Sequence, residues 1–523
     1  MKKIWIVICL LTALLASVVW ANDSLLYPAD VLQALDKAGD NRPELEKVLS
    51  HYQADNDSLK LKAAYYLIGN MEGHSYMLFG LYDSTKAEVS FNVLDYPTYD
   101  SLLAAFDKIE AVHPGLDFDK KENKEDLKAI KAEFLIKQID LAFQAWYEKP
   151  WAKGLTFDQF CEYVLPYRGS NEPLEDWRDM FYEKYKGLES KMANPSDPTE
   201  AAKLINNDVK TYFTFDPRFY YHPTDEGLGE MLSLHLGRCE DMTNIAIYAM
   251  RANALAVTSD YTPFWANSGN NHAWNAILNA SGKVVPFMGA EANPGEYKLW
   301  NKLAKVYRKT YSQQKGNLIF QDRKQKKVPG WLAGKSYIDV TSDYVNTCDV
   351  AVTLDEPTPD SVDIAYICVF NDGEWQAIQW GRIKDGQVTF AGMGADIAYL
   401  PAFYENDKIV PAGAPFILST DCKIQKLSPA ENQTNSVQLM STTNKVLAVS
   451  TDGVAQAAFT PAKEYELFYW KSGWQSLGKT TASDKPLLFD SVPTGYLYWL
   501  VETSSNKEER IFTIDPSGKQ VWW

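Results

Sequence analysis

From Pro28 to about Met192 the apolar positions recur at three- and four-residue intervals. Val31, Leu32 and Leu35, then Leu59, Leu61, Ala64, Leu67 and Ile68, then Phe134, Leu135, Ile139 and Phe143 fall on successive faces. That spacing predicts helices, with few strand signals between them. The charge run Asp119-Lys120-Lys121-Glu122-Asn123-Lys124-Glu125-Asp126 fits the scheme as a solvated helix entry. Asn194-Pro195-Ser196-Asp197-Pro198-Thr199 is a turn-rich break that starts a further helix. Beyond about Gly330 the period shortens to alternation. Ile364 to Phe370 leads through Asn371-Asp372-Gly373 to Trp375–Trp380, then through Lys384-Asp385-Gly386 to Val388-Thr389-Phe390, as hairpins do. A second β unit begins near Asn432 and carries Leu467–Trp470, Tyr496–Leu500 and Val521-Trp522-Trp523. The pattern predicts a multidomain α+β chain. It comprises a helical region at 22–195, an α+β core at 196–329, and two antiparallel β domains at 330–430 and 431–523, sandwiches rather than barrels.

With 523 residues, 46% hydrophobic and 23% charged, the chain can bury several cores. Its 68 carboxylates against 52 basic residues argue against nucleic acid and anionic lipid as partners. Met1-Lys2-Lys3, the apolar run from Ile4 to Val19 and the small Ala21 predict a signal peptide at 1–21, hence a secreted or periplasmic protein with surface association open. No later run approaches the ~20 apolar residues of a membrane span, so none is expected in the mature chain. Cleavage would remove Cys9 and leave Cys161, Cys239, Cys348, Cys368 and Cys422. An odd number leaves at least one thiol without an intrachain partner, and most are expected to be unpaired. No cysteine or histidine spacing calls for a metal, and no motif calls for a cofactor. The aromatic density of the β domains suits either sugar stacking or sandwich cores, and cores are the commoner use.

The middle of the chain carries the chemistry. After Cys239 the residues Met242, Ile245, Ala246, Ala249 and Ala252 recur with helical spacing, and Gly237 is positioned to close a preceding helix. Cys239 therefore falls in a first turn, where unpaired N–H groups and the helix dipole favour a thiolate. Arg238 acts in the same direction, while Glu240 and Asp241 are expected to face solvent. His272-Ala273-Trp274-Asn275-Ala276-Ile277-Leu278-Asn279 reads as a strand turning at Ser281-Gly282 into Lys283–Phe287. A two-residue loop would set His272 opposite Glu291, whereas a longer one would set Ala290 or Gly289 there. In the first register the three groups form a nucleophile, base and orienting acid, Cys239, His272 and Glu291.

Gly237-x-Cys239-Glu240-Asp241, the apolar helix after it and His272-Ala273-Trp274 together resemble the core of the transglutaminase-like superfamily, a papain-like fold, from about Gly227 to Glu291. The resemblance implies Cys239 as nucleophile and His272 as general base and acid. The family's usual acidic residue in a Trp-x-x-x-Asp-Pro-like segment is missing, since Met288 stands near its place. Glu291 substitutes, Asn275 assists, or the site is degenerate. Phe160–Arg168 is similar to the helical region that accompanies the core in secreted bacterial members.

Two functions follow. In the first the chain is an exported cysteine enzyme acting on peptide or protein amides, cell-envelope or glycan-linked ones included, through a thioester. Hydrolysis is favoured over cross-linking. In the second the core is a degenerate scaffold and the β domains bind a surface glycan or protein.

Overall fold

The computed structural model describes residues 27–444, 448–449, 455–483, 485–505 and 509–523, so the expected signal peptide lies outside the described residues. The chain divides into two compact units. The first runs to Asp260 and takes in Ala273–Tyr297 and Lys309–Gln313; the second holds Tyr261–His272, Lys298–Arg308 and Gln314–Trp523.

In the first unit, helices α1 (Ala29–Ala38) and α3 (Ser58–Asn70) bury Val31, Leu35, Ala64, Leu67 and Ile68 of the stripes that the spacing marks while Leu59 stays exposed, and α2 (Arg42–Ala54) adds Leu45, Val48 and Leu49. Asp57 caps α3 by accepting from the Lys60 amide at 3.0 Å. Up to its last residue the charge run is strand rather than helix entry: strand β1 (Ser75–Tyr82) pairs antiparallel with β2 (Asp117–Glu125), and the buried Asp126 then opens a four-residue helix, Asp126–Ala129. The run is the exposed strand of that ribbon. Its charges are matched across to Lys86 and Glu88, with Lys86–Asp119 at 3.0 Å and Lys121–Glu88 at 2.5 Å. A two-stranded ribbon has no core to bury, and a charged strand resists pairing with other chains. Helix α4 (Ala132–Glu148) follows, and a short helix Phe157–Tyr163 opens on a Thr156–Gln159 capping box. The turn-rich break then starts α5 (Pro198–Val209), capped by Asp197.

Helix α6 (Cys239–Arg251) is buried all round, Glu240 alone excepted. Such a helix belongs to the centre of a core rather than to its surface. Strands β3 (Val257–Thr262), β4 (His272–Leu278) and β5 (Val284–Phe287) lie in the sheet order β5-β4-β3.

The second unit is β-rich. Strands β6 (Thr347–Thr353), β7 (Ile364–Asn371), β8 (Glu374–Arg382), β9 (Gln387–Gly394) and β10 (Ile397–Glu405) place β6 and β9 in one sheet and β8-β7-β10 in another. Val350, Phe390, Ile367 and Tyr399 from both sheets share one buried core, as in a sandwich. Asp372-Gly373 and Asp385-Gly386 turn with positive φ at both residues, which is why Asx-Gly marks these hairpins. A second layer pair follows, in which β11 (Glu464–Trp470), β12 (Trp474–Thr481) and β13 (Tyr498–Glu502) are neighbours in the order β12-β11-β13. Cys348 and Cys422 form a disulfide across 74 residues, whereas Cys161, Cys239 and Cys368 are free and buried. Among the described residues no helix is long and apolar enough to cross a membrane, and no cluster of three or more His, Cys, Asp or Glu side chains could hold a metal.

Candidate active site

Cys239 is the first residue of α6, 3% exposed. The Ala273 amide donates to its sulfur, and Ala273 is the second residue of β4. The start of the strand is thereby set against the start of the helix, and His272 is one peptide bond from the group that touches sulfur. The imidazole of His272 stacks on Trp265, centroids 5.6 Å apart.

The expected thiolate is absent from this arrangement. Burial, then the charge of Glu240 and a hydrogen bond to it, push the thiol well above its usual range; the Ala273 amide and Arg238 oppose them. Sγ–H donates to Glu240 Oε2 at 2.9 Å. A helix dipole contributes ~0.3–1 kcal/mol, several times less than the cost of holding a charge in a fully buried site. Desolvation wins.

Neither acidic residue simply faces solvent: Glu240, partly exposed, turns to the thiol, and Asp241 is buried. Asp241 is buried, its Oδ1 accepting from the Glu226 amide at 3.0 Å and its Oδ2 from the Arg238 amide at 2.9 Å, so it caps its own helix from inside. Arg238 is drawn to Asp225, Nη2 to Oδ1 at 2.7 Å, and donates to the His222 carbonyl at 3.1 Å. Glu226 is wholly buried and neither carboxyl oxygen has a partner among the described residues. Burial, then Asp241, pushes its pKa far up, and the residue is neutral.

Gly237 does not close the preceding helix. His235, with φ 61°, takes the left-handed position after Leu234. Gly237 is there for space: a Cβ on it would meet Asp241 Cβ at 2.6 Å and Glu226 Oε2 at 2.8 Å.

The β4–β5 register differs by one from that of a two-residue loop. Leu278 pairs with Val284 and Asn275 with Phe287. Asn279 Oδ1 accepts from the amides of Ser281 and Lys283 while Gly282 sits at φ 74°, giving a three-residue loop. The ladder extended would bring Ala290, not Glu291, opposite His272, but it stops first. Met288 and Ala292 close a tight turn instead. Asn206 Oδ1 accepts from the Ala290 amide, and Asn275 Oδ1 accepts from the Gly289 amide at 3.0 Å while its Nδ2 donates to the Thr243 carbonyl at 3.1 Å. Asn275 is thus committed to joining the turn to α6. At Gly289 a Cβ would lie 2.2 Å from the Met242 carbonyl. Glu291 is exposed on this turn. Burial, then Glu291 and Cys239 nearby, raise the pKa of the Tyr297 phenol. Tyr220 stands near Cys239 and Glu240 in the same way. Asp225, Glu226, Tyr220 and Tyr297 were not marked by the sequence patterns. The adjacent acids Asp225-Glu226 just before Gly227 are the one local signal for them.

A cysteine opening a core helix against a strand that begins with histidine is the arrangement of a papain-like cysteine acyl-transfer fold. Residues 186–287 match the family model described as Transglutaminase-like superfamily, and the chain carries a domain of that superfamily. A search of the curated proteins gave no match.

Proposed function

We propose that the chain is a cysteine-dependent acyl-transfer enzyme acting on peptide or protein amides, with Cys239 as nucleophile and His272 as general base and acid. One observation carries this: the Ala273 amide is hydrogen-bonded to the Cys239 sulfur, and Ala273 directly follows His272. In the reaction His272 takes the thiol proton and sulfur attacks the amide carbonyl carbon. The C–N bond breaks as the imidazolium protonates the leaving amine, and a thioester remains. Water then attacks the thioester, releasing the acid and the thiol. The Cys239 backbone N–H is one donor for the developing oxyanion. Hydrolysis is favoured over transfer to an amine, and the three-residue loop leaves Glu291 without the register that made it the candidate third member. The Cys348–Cys422 disulfide supports export through the segment 1–21, because disulfides persist in oxidising compartments.

A second reading has its own observation. The thiol is 3% exposed and donates to Glu240, as in a site that has lost its chemistry and kept its fold. Incubating the full chain with a glutamine-containing peptide library, with and without a biotinylated pentylamine, separates the two. Acid or amide products, with an acyl adduct on Cys239 by intact mass, are expected and should vanish in Cys239→Ser and His272→Ala. Absence of any Cys239-dependent product would sink the enzyme reading.

A further inference from the structure

The second unit contains a groove of about 660 Å³ lined by four tryptophans, Trp331, Trp375, Trp470 and Trp474, among other residues. Trp470 and Trp474 flank a tight hairpin tip, rings 5.0 Å apart and nearly perpendicular, and Trp375 meets Trp470 edge to face at 5.7 Å. Phe370 packs on both Trp375 and Trp474 at 5.5 Å, which fixes their orientation before any ligand arrives. Trp331 forms the open wall and is 39% exposed, an unusual position for so large an apolar ring.

The polar groups of the groove narrow the ligand. Glu374, Gln376, Asp407 and Lys408 line it, and Asp407 is paired with Lys327, so acceptors and donors are present with little net charge. A polyanion would find no cationic cradle, and a lipid would strand the carboxylates. The indole N–H of Trp375 is buried and has no partner among the described residues. An unpaired buried donor costs ~1–3 kcal/mol, so natural proteins keep one where something else satisfies it.

We propose that this groove binds a neutral oligosaccharide whose sugar rings carry equatorial hydroxyls. Such a ring offers an apolar C–H face to Trp331 and Trp474 and an edge of hydroxyls to Glu374, Gln376 and Asp407. Preset aromatic walls with a few convergent polar groups are what a small-ligand site requires. The site lies wholly within the second unit and stands independently of the acyl-transfer reading.

Intrinsic fluorescence and calorimetry of the full chain with cellohexaose, xylohexaose and chitohexaose test it, with hexagalacturonate as the anionic control. At least one neutral hexamer should bind saturably, with Kd at or below about 1 mM. Trp331→Ala should weaken binding about tenfold or more, and Glu374→Gln, at an exposed position that cannot endanger folding, several-fold. Failure of all three neutral sugars to bind overturns the proposal. So does tighter binding of the galacturonate, or a bound sugar indifferent to both substitutions.

Discussion

Cys239 and Cys368 are both free and buried, yet they occupy opposite surroundings. Cys368 lies in β7, every residue of which is buried, and burial alone raises its thiol. Cys239 opens a helix whose first turn holds Arg238, Glu240 and Asp241, with Asp225 and Glu226 packed beneath. Burial raises this thiol too, but Glu240 adds to the effect while Ala273 and Arg238 resist it. At an apolar site burial alone acts on the thiol and nothing can adjust it. At the helix start several groups oppose one another, and moving any one of them changes the charge on sulfur.

The largest expected effect sets the two thiols directly against each other. Cys239→Ser should abolish amide turnover, a loss of at least about a thousandfold, with little change in melting temperature. Cys368→Ser should do the reverse, leaving turnover intact and destabilising the β unit by ~1–3 kcal/mol through a buried hydroxyl. Turnover assays and thermal melts on both variants read this. Equal losses in both would erase the distinction.

A smaller effect is expected from Glu240→Gln, which removes the carboxylate that accepts the thiol's hydrogen bond. Sulfur then keeps the Ala273 N–H and Arg238 without their opponent, so its pKa should fall. Iodoacetamide labelling of Cys239 at pH 8 should quicken several-fold, with Cys368 unaltered. If the rate holds or drops, Glu240 is not what keeps the resting thiol protonated.

The same contrast explains what could be read from the chain. The β unit was legible because each hairpin is written locally: Asn371-Asp372-Gly373 and Lys384-Asp385-Gly386 turn where alternation breaks. The helix after Cys239 was legible from its spacing, and so was the succession of thiol and histidine. What failed depended on distant partners. Glu240 and Asp241 look like ordinary first-turn acids, and only the fold turns Glu240 to the thiol and buries Asp241. The run 119–125 has no apolar period, so nothing in it reveals β1 as its neighbour. One side chain, Asn279, shifted the β4–β5 register by a residue, and with it the carboxylate expected opposite His272. Gly237 and Gly289 are small because backbone and side chains approach them from far along the sequence.

The deepest of those long-range features gives the subtlest test. Glu226 is neutral in the fold because burial and the neighbouring Asp241 hold its pKa far above the ordinary glutamate range. The folded state therefore binds this proton more tightly than the unfolded chain does. The group's contribution is fully present below the unfolded pKa and is lost as pH rises toward the folded one, at a slope of at most about 1.4 kcal/mol per pH unit. Glu226→Gln keeps the shape and needs no proton, so its stability relative to the wild type should rise with pH above about 4.5, by up to about 1.4 kcal/mol per pH unit, while any cost of the unpaired amide is the same at every pH. Melts of the two proteins from pH 4.5 to 9 read the divergence. Parallel curves would mean that Glu226 is ionised in place, with a counter-charge closer than Arg238, and the charge balance beneath Cys239 would have to be redrawn around it.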